Sequence, residues 1–109
     1  MDDRVRRLVL SRPIPDKLIA DIADAPLVEE WEIRTYSPAR RVLTPALVGI
    51  LIDVCSGYTE RQIAEMHHLS QAAVKDRTKR LLSLYRVKNR TQLAIHILRN
   101  GTEPPTADR

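Results

Sequence analysis

The chain has a single cysteine, Cys55, among its 109 residues, and it has no run of 18 apolar residues. One cysteine cannot form an internal disulfide, so the sequence predicts a reduced, cytoplasmic protein in which Cys55 is a core thiol. Without a long apolar run, neither a transmembrane helix nor a membrane partner is expected. The first fifteen residues lack a small-residue cleavage site, so they do not have the pattern of a signal peptide.

Catalytic motifs are missing as well. The only glycines are Gly49, Gly57 and Gly101, and they form no glycine-rich phosphate loop. There is no nucleophile elbow, and no pair of carboxylates is placed to perturb each other. The adjacent His67 and His68 lack a third ligand at metal-binding spacing, so a turn is expected there and no metal. The sequence therefore predicts a protein that is not an enzyme and uses no cofactor.

Basic residues are concentrated in one part of the chain. Residues 1–42 carry eight basic and eight acidic side chains, whereas residues 43–101 carry nine basic and four acidic ones. Within residues 71–90 there are seven bases and one acid, Asp76. Such a concentration of positive charge attracts polyanions, although a basic run taken alone is more often a solvated helix face. The helical context of the run decides between these interpretations.

Residues 43–101 have the start and stop signals of four short helices, which makes the expected fold mainly α. Thr44 followed by Pro45 indicates a helix start, and apolar residues then recur at helical spacing. Thr59 and Gln62 form the pattern Thr-x-x-Gln, which is a capping box at the start of a second helix. Ser70 and Asn89 are the expected caps of the other two helices, and Gly101 is the expected end of the last one. Residues 102–109 are expected to form a disordered tail.

The second and third helices form a helix-turn-helix pattern, and the third covers about residues 71–85. The side of this third helix that faces the core is expected to consist of Val74, Leu81, Leu82 and Tyr85. The opposite, exposed side carries Ala72, Lys75, Asp76, Lys79 and Ser83. This face is narrow; its first side chains are small and the following ones are basic. Such a helix fits the major groove of B-DNA, with its N-terminal half against base edges. The sequence thus predicts double-stranded DNA as the partner of this face.

Residues 1–42 have a different pattern. Three segments follow one another, the first β-prone, the second with helical periodicity and the third alternating as a strand does: 4–10, 15–25 and 28–36. We therefore expect a small β-α-β-like N-terminal extension, joined to the rest by a linker at residues 37–41.

One ordered set of residues runs through the helical segment. Its members are Leu43-Thr44-Pro45, Gly57, Ile63-Ala64, Ser70, Val74-Lys75, Val87, Arg90-Thr91 and Leu93. No single member is specific, but the whole set resembles the LuxR-type helix-turn-helix DNA-binding domain over about residues 43–101, at the family's spacings and without a gap. The chain departs from the family pattern at Leu47, His67, His68, Ala73 and Arg77.

The resemblance implies a four-helix domain whose third helix enters the major groove. It also implies a transcription regulator that binds as a homodimer, often paired through the fourth helix. The positions that match the family's base-contacting residues are Lys75, Asp76 and Lys79. The positions that match its phosphate-contacting residues are Gln62, Ser70, Lys88, Arg90 and Thr91. Arg77 lies beside the core face, and for it too we expect a phosphate contact.

Two alternatives remain open from the sequence. Asp76 could accept a hydrogen bond from a cytosine amine, or it could repel phosphate and orient Lys79 through helix spacing. The alternative function is a protein-interaction adaptor that docks on a sigma factor, RNA polymerase or another regulator with only weak DNA contact. The N-terminal extension, with Trp31 and Tyr36, would carry that binding. In the leading interpretation the same extension adds dimer contacts or senses a partner.

Overall fold

Helices make up most of the described part of the chain. The computed structural model describes residues 3–24 and 43–103, which form six helices: α1 (Asp3–Ser11), α2 (Asp16–Asp24), α3 (Pro45–Cys55), α4 (Glu60–His67), α5 (Gln71–Tyr85) and α6 (Arg90–Asn100). No strand occurs within these two ranges, so the fold there is mainly α, as the sequence predicts. None of the six helices combines the length and the apolar character that crossing a membrane requires.

Side-chain caps begin four of the helices where the sequence predicts them. Thr44, Ser70 and Asn89 each accept a hydrogen bond from the backbone N–H three residues ahead, at 3.2, 3.1 and 2.9 Å. Thr59 and Gln62 form both halves of the capping box, at 3.2 and 2.9 Å. These bonds satisfy N–H groups that the first turn of a helix leaves without an intrahelical partner. The predicted starts of α3, α4, α5 and α6 are therefore confirmed.

The prediction of a strand at residues 4–10 is wrong, because this segment lies within α1. Its buried residues, Val5 and Val9, are four positions apart, and Leu8 packs partly against the same core. That spacing is the one that places side chains on a single face of a helix. The β-branched valines favour a strand locally, but the packing of α1 against α3 outweighs this weak preference.

The second segment of the predicted extension is a helix as expected, since α2 occupies Asp16–Asp24 and buries Leu18 and Ile22. The predicted strand at 28–36 and the linker at 37–41 lie outside the described residues. The buried apolar residues of α1 and α2 belong to the same core cluster as those of the four later helices. The two N-terminal helices therefore pack into the same body as α3–α6.

Helix α3 lies at the centre of that body, since it contacts α1, α5 and α6. Eight of its eleven residues are buried. On α5 the predicted core face is confirmed, because Val74, Leu81 and Tyr85 are buried and Leu82 is partly buried. Thr78 is buried on this face as well, and its hydroxyl donates to the Val74 carbonyl at 2.9 Å, which satisfies a polar group inside the core.

The chain beyond α6 is tied to α2 and α5. The Tyr85 hydroxyl donates to the carbonyl oxygen of Thr102 at 2.6 Å, and the N–H of Thr102 donates to Oδ2 of Asp21 at 2.9 Å. Burial raises the pKa of Tyr85, so its hydroxyl remains a donor throughout the physiological range. Thr102 is buried, so the first residue of the predicted tail is packed, whereas residues 104–109 lie outside the described part.

We expect Gly101→Ala to destabilise the protein by about 2 kcal/mol. Gly101 has φ +86°, and a Cβ there would overlap the carboxylate of Asp21 that holds Thr102. Gly57→Ala is the matched control, because Gly57 has φ +89° with open space around its Cβ. It reports the backbone cost alone, about 1 kcal/mol. Urea unfolding of both variants checks the difference, and identical midpoints would contradict the contact between Asp21 and the chain beyond α6.

Candidate nucleic-acid interface

Helices α4 and α5 pack against each other and are joined by a turn of three residues, 68–70. His68 adopts the left-handed conformation, with φ 55° and ψ 43°, which is uncommon for a residue other than glycine. The N–H of Leu69 donates to the carbonyl of Ala64 at 2.9 Å, and this bond closes the end of α4. Ser70 then caps α5, so the direction in which α5 leaves the turn is fixed by local hydrogen bonds.

The side of α5 opposite the core is a single exposed stripe, as predicted. The residues on it are Ala72, Lys75, Asp76, Lys79 and Ser83, and all five are exposed. Neither Lys75 nor Lys79 forms an ion pair in the described part of the chain. Lysine carries its charge on a flexible stem with three donors, so both ammonium groups are available to an external acceptor.

Asp76 has a partner on its own helix. Its Oδ2 lies 3.5 Å from Nε of Arg80, one turn further along, and both side chains are well exposed. An exposed pair at this spacing is held by only a fraction of a kcal/mol, so a stronger partner can displace it. The structure thus pairs Asp76 with Arg80, and not with the Lys79 that the helix spacing also allows.

Several predicted phosphate contacts lie at the starts of helices. Gln62, Ser70 and Thr91 lie at or beside the first turns of α4, α5 and α6, and all three are exposed. Backbone N–H groups and the helix dipole make such starts favourable for anions. The side-chain oxygen of Gln62 is used by the capping box, which leaves its amide nitrogen as the donor. Lys88, just before α6, is exposed too.

The two arginines among the predicted phosphate contacts are partly buried. Nη2 of Arg90 donates to the carbonyl oxygen of Tyr58, and Nε of Arg90 is buried without a hydrogen-bond partner. Nη1 of Arg77 is likewise buried and without such a partner. In this structure the Arg90 guanidinium therefore holds the loop between α3 and α4. That either arginine contacts phosphate remains a prediction.

A buried ionic cluster that sequence reasoning missed joins α3, the end of α4 and the segment between α1 and α2. Asp53 of α3 is fully buried, and its carboxylate contacts Nε of Arg12 and, at 2.5 Å, Nε2 of His67. The hydrogen bond to Asp53 raises the pKa of Arg12. The guanidinium of Arg12 also lies over the ring of Tyr58, 5.5 Å from its centroid. His67, expected as a turn residue, is instead the last residue of α4 and faces inward.

A local signal for this cluster does exist. Asp53 is the only charged residue in the eleven residues of α3, and such a residue on an apolar helix needs a buried partner. Its two partners lie 41 positions before it and 14 positions after it, so their identity is not readable from the local pattern. The described ranges contain no group of three or more His, Cys, Asp or Glu side chains that could hold a metal ion.

An apolar groove of about 480 Å³ runs along α6 where it meets α3. Its lining residues are Val54, Cys55, Gly57, Arg90, Thr91, Ala94, Ile95 and Leu98. Two large apolar side chains of α6 at this groove are well exposed, Ile95 by 46% and Leu98 by 41%. Neighbouring apolar side chains of this size in contact with water are typical of a surface that another protein covers.

Cys55 packs against the core, as predicted, and we expect it to be unreactive in the folded protein. Burial raises the pKa of its thiol to about 12. Little of the thiol is therefore present as the reactive thiolate at pH 8. Labelling with a thiol-specific disulfide reagent should therefore be slow in buffer and fast in denaturant, where burial is lost. Equal rates under the two conditions would contradict the packing of this residue.

The exposed stripe of α5 and the helix starts around it are the features from which a function for this chain can be proposed. No family model, no curated protein and no solved structure matches the chain.

Proposed function

We propose that the chain is a sequence-specific transcription regulator that binds double-stranded DNA as a homodimer through a LuxR-type helix-turn-helix domain. The observation that carries the proposal is the exposed stripe of α5, on which Lys75 and Lys79 have no ion-pair partner in the described part of the chain. A soluble protein gains no stability from like charges on one short helix, because they repel each other. Such a stripe is explained by an anionic partner.

The dimensions of α5 suit the major groove. Its 15 residues extend over about 22 Å, and the groove is about 12 Å wide, enough to admit one α-helix. Small residues at its start allow close approach to base edges, and the lysines that follow can donate to O6 and N7 of guanine. Lys75, Asp76 and Lys79 would therefore supply the sequence specificity.

Phosphate contacts would hold α5 in register. Gln62, Ser70 and Thr91 present donors beside the starts of three helices, and Lys88 adds a charge next to the last of these. Contacts of this kind position a protein on DNA without reading its sequence. Arg77 and Arg90 would join them only if their side chains turn outward from the positions that they hold in the free protein.

The groove along α6 supports the homodimer. Ile95 and Leu98 lie on the outer side of α6, so pairing of two α6 helices would cover both of them and the groove beside them. Burial of apolar surface is the usual driving force for such association. The two copies of α5 would then face half-sites about one helical turn of DNA apart.

We expect the double variant Ile95→Asp/Leu98→Asp to be monomeric, because pairing would force four added carboxylates into one interface. Sedimentation velocity should show the loss of the dimer, and affinity for a two-half-site duplex should fall at least tenfold. Leu10→Asp is the control, because Leu10 is 79% exposed on α1, away from this groove. A dimer that survives the α6 substitutions would contradict the proposed interface.

Two measurements test the proposed function: selection of bound duplexes from a random pool for its specificity, and a salt titration on the selected duplex for its phosphate contacts. The logarithm of the binding constant should fall linearly with the logarithm of salt concentration, by about 0.9 for each phosphate neutralised. Weak binding without enrichment of any sequence would point to the adaptor function instead. If the protein is such an adaptor, substitutions at Trp31 and Tyr36, which lie outside the described residues, should abolish its regulatory function. Lys75→Ala/Lys79→Ala should then leave that function intact.

A further inference from the structure

We propose that Arg12 is a positioning residue for DNA binding, which fixes helix α4, and through it α5, from the segment between α1 and α2. This inference rests on the function proposed above. It assigns to the N-terminal segment a part in the geometry of the DNA-binding face, although Arg12 itself does not belong to that face.

The first contact of Arg12 reaches the end of α4. Oδ1 of Asp53 accepts from Nε of Arg12, and Oδ2 lies 3.5 Å from Nη2 of Arg12 and 2.5 Å from Nε2 of His67. The Asp53 side chain is 0% exposed, that of Arg12 13% and that of His67 19%. Because water is excluded from the carboxylate, these two side chains provide its hydrogen bonds. The last residue of α4 is thereby connected to Arg12.

The second contact reaches the start of α4. The guanidinium of Arg12 lies over the Tyr58 ring, and the N–H of Tyr58 donates to the carbonyl of Asp53 at 3.2 Å. Tyr58 immediately precedes Thr59, which caps α4. A single guanidinium thus acts at both ends of the helix, directly on the residue before its cap and through Asp53 on its last residue.

Little space is left for α4 to shift against this contact. A Cβ on Gly49 of α3 would lie 3.1 Å from Cδ1 of Leu8 and 3.3 Å from Cε1 of His67. Helices α1, α3 and α4 therefore meet closely at this point, and the absence of a side chain on Gly49 permits it. Since α4 spans about 12 Å and is followed by a turn of only three residues, a small rotation of α4 would displace the start of α5.

Charged hydrogen bonds suit this role because they are directional, whereas apolar contacts tolerate sliding. Replacement of a buried ionic cluster by apolar residues of similar size often leaves stability unchanged or raises it. Stability and position can therefore be separated by experiment. The triple variant Arg12→Met/Asp53→Leu/His67→Leu removes one positive and one negative charge, so the net charge of the chain is unchanged when histidine is neutral.

The experiment compares wild type and the triple variant on two duplexes, the sequence that wild type selects from a random pool and a scrambled control. We expect the triple variant to keep the melting temperature of wild type. Its affinity for the selected sequence should fall at least tenfold, and its affinity for the scrambled duplex should stay the same. A role in stability alone would not change the ratio of the two affinities. A folded triple variant with the wild-type ratio would overturn the inference and leave the proposed function intact.

Failure of the proposed function would look different, because wild type itself would then select no sequence. If the triple variant does not fold, Tyr58→Leu provides the second test. This substitution removes the ring below Arg12 and leaves the ion pairs of Asp53 in place. We expect a loss of about threefold in the affinity ratio, together with changed amide chemical shifts at the start of α5. An unchanged ratio and unchanged shifts would overturn the inference.

Discussion

Replacement of both Lys75 and Lys79 by alanine should lower the affinity of the protein for its selected DNA sequence by about a hundredfold or more. Each well-placed contact to a base edge contributes about 1–3 kcal/mol of discrimination, and two are removed at once. The melting temperature should not change, because both side chains are exposed and neither forms an ion pair in the described part of the chain. Fluorescence anisotropy with a labelled duplex measures the loss.

The control variant must remove the same charge elsewhere. Arg6→Ala/Arg7→Ala also removes two positive charges, from exposed positions on α1. This control should weaken binding to every duplex slightly and equally, because it changes only the long-range attraction. If the two double variants lost affinity equally, net charge would explain the binding, and α5 would not read sequence.

Replacement of Arg12 by alanine should cost about 3 kcal/mol of folding free energy and lower the melting temperature by more than about 10 °C. The reason is that Asp53 remains fully buried and loses its guanidinium partner, so only His67 is left beside it. Urea and thermal unfolding followed by circular dichroism measure the change. Arg6→Ala and Arg7→Ala on the exposed side of α1 are the controls, and each should stay within about 0.5 kcal/mol of wild type.

The pH range of this stabilisation follows from the direction of the pKa shift. The hydrogen bond to Asp53 raises the pKa of Arg12 in the folded protein. A raised pKa on a basic group means that the stabilisation is fully present below its ordinary pKa and is lost only as the pH rises through the folded-state value. Deprotonation of Arg12 should therefore remove none of this stabilisation in the neutral range. If Arg12→Ala were as stable as wild type, that result would contradict a stabilising role for the cluster of Arg12, Asp53 and His67.

Much of the fold was predictable because the signals are local. A cap is made by a side chain and an N–H group three residues away, so Thr44, Thr59, Ser70 and Asn89 could be identified from spacing alone. The two faces of α5 were predictable for the same reason, since helical periodicity sorts its residues into a buried and an exposed side. Thr78 was missed on the buried side, because its hydroxyl is satisfied by its own helix.

Features that depend on distant partners were not predictable. Helix α1 is an exception, because Val5, Leu8 and Val9 have helical spacing, a local signal that the strand preference of valine obscures. The pairs Arg12–Asp53 and Arg90–Tyr58 join residues 41 and 32 positions apart, which no local pattern indicates. The partner of Asp76 was not predictable either, because helix spacing allows both Lys79 and Arg80.

Selection of bound duplexes from a random DNA pool, with the full-length chain, tests the central claim most directly. We predict enrichment of a sequence with two half-sites whose centres lie about one helical turn, or 10 base pairs, apart. That enrichment should disappear with Lys75→Ala/Lys79→Ala. If wild type enriches no sequence and binds all duplexes weakly, the basic stripe of α5 is only a non-specific anchor, and the proposed function is wrong.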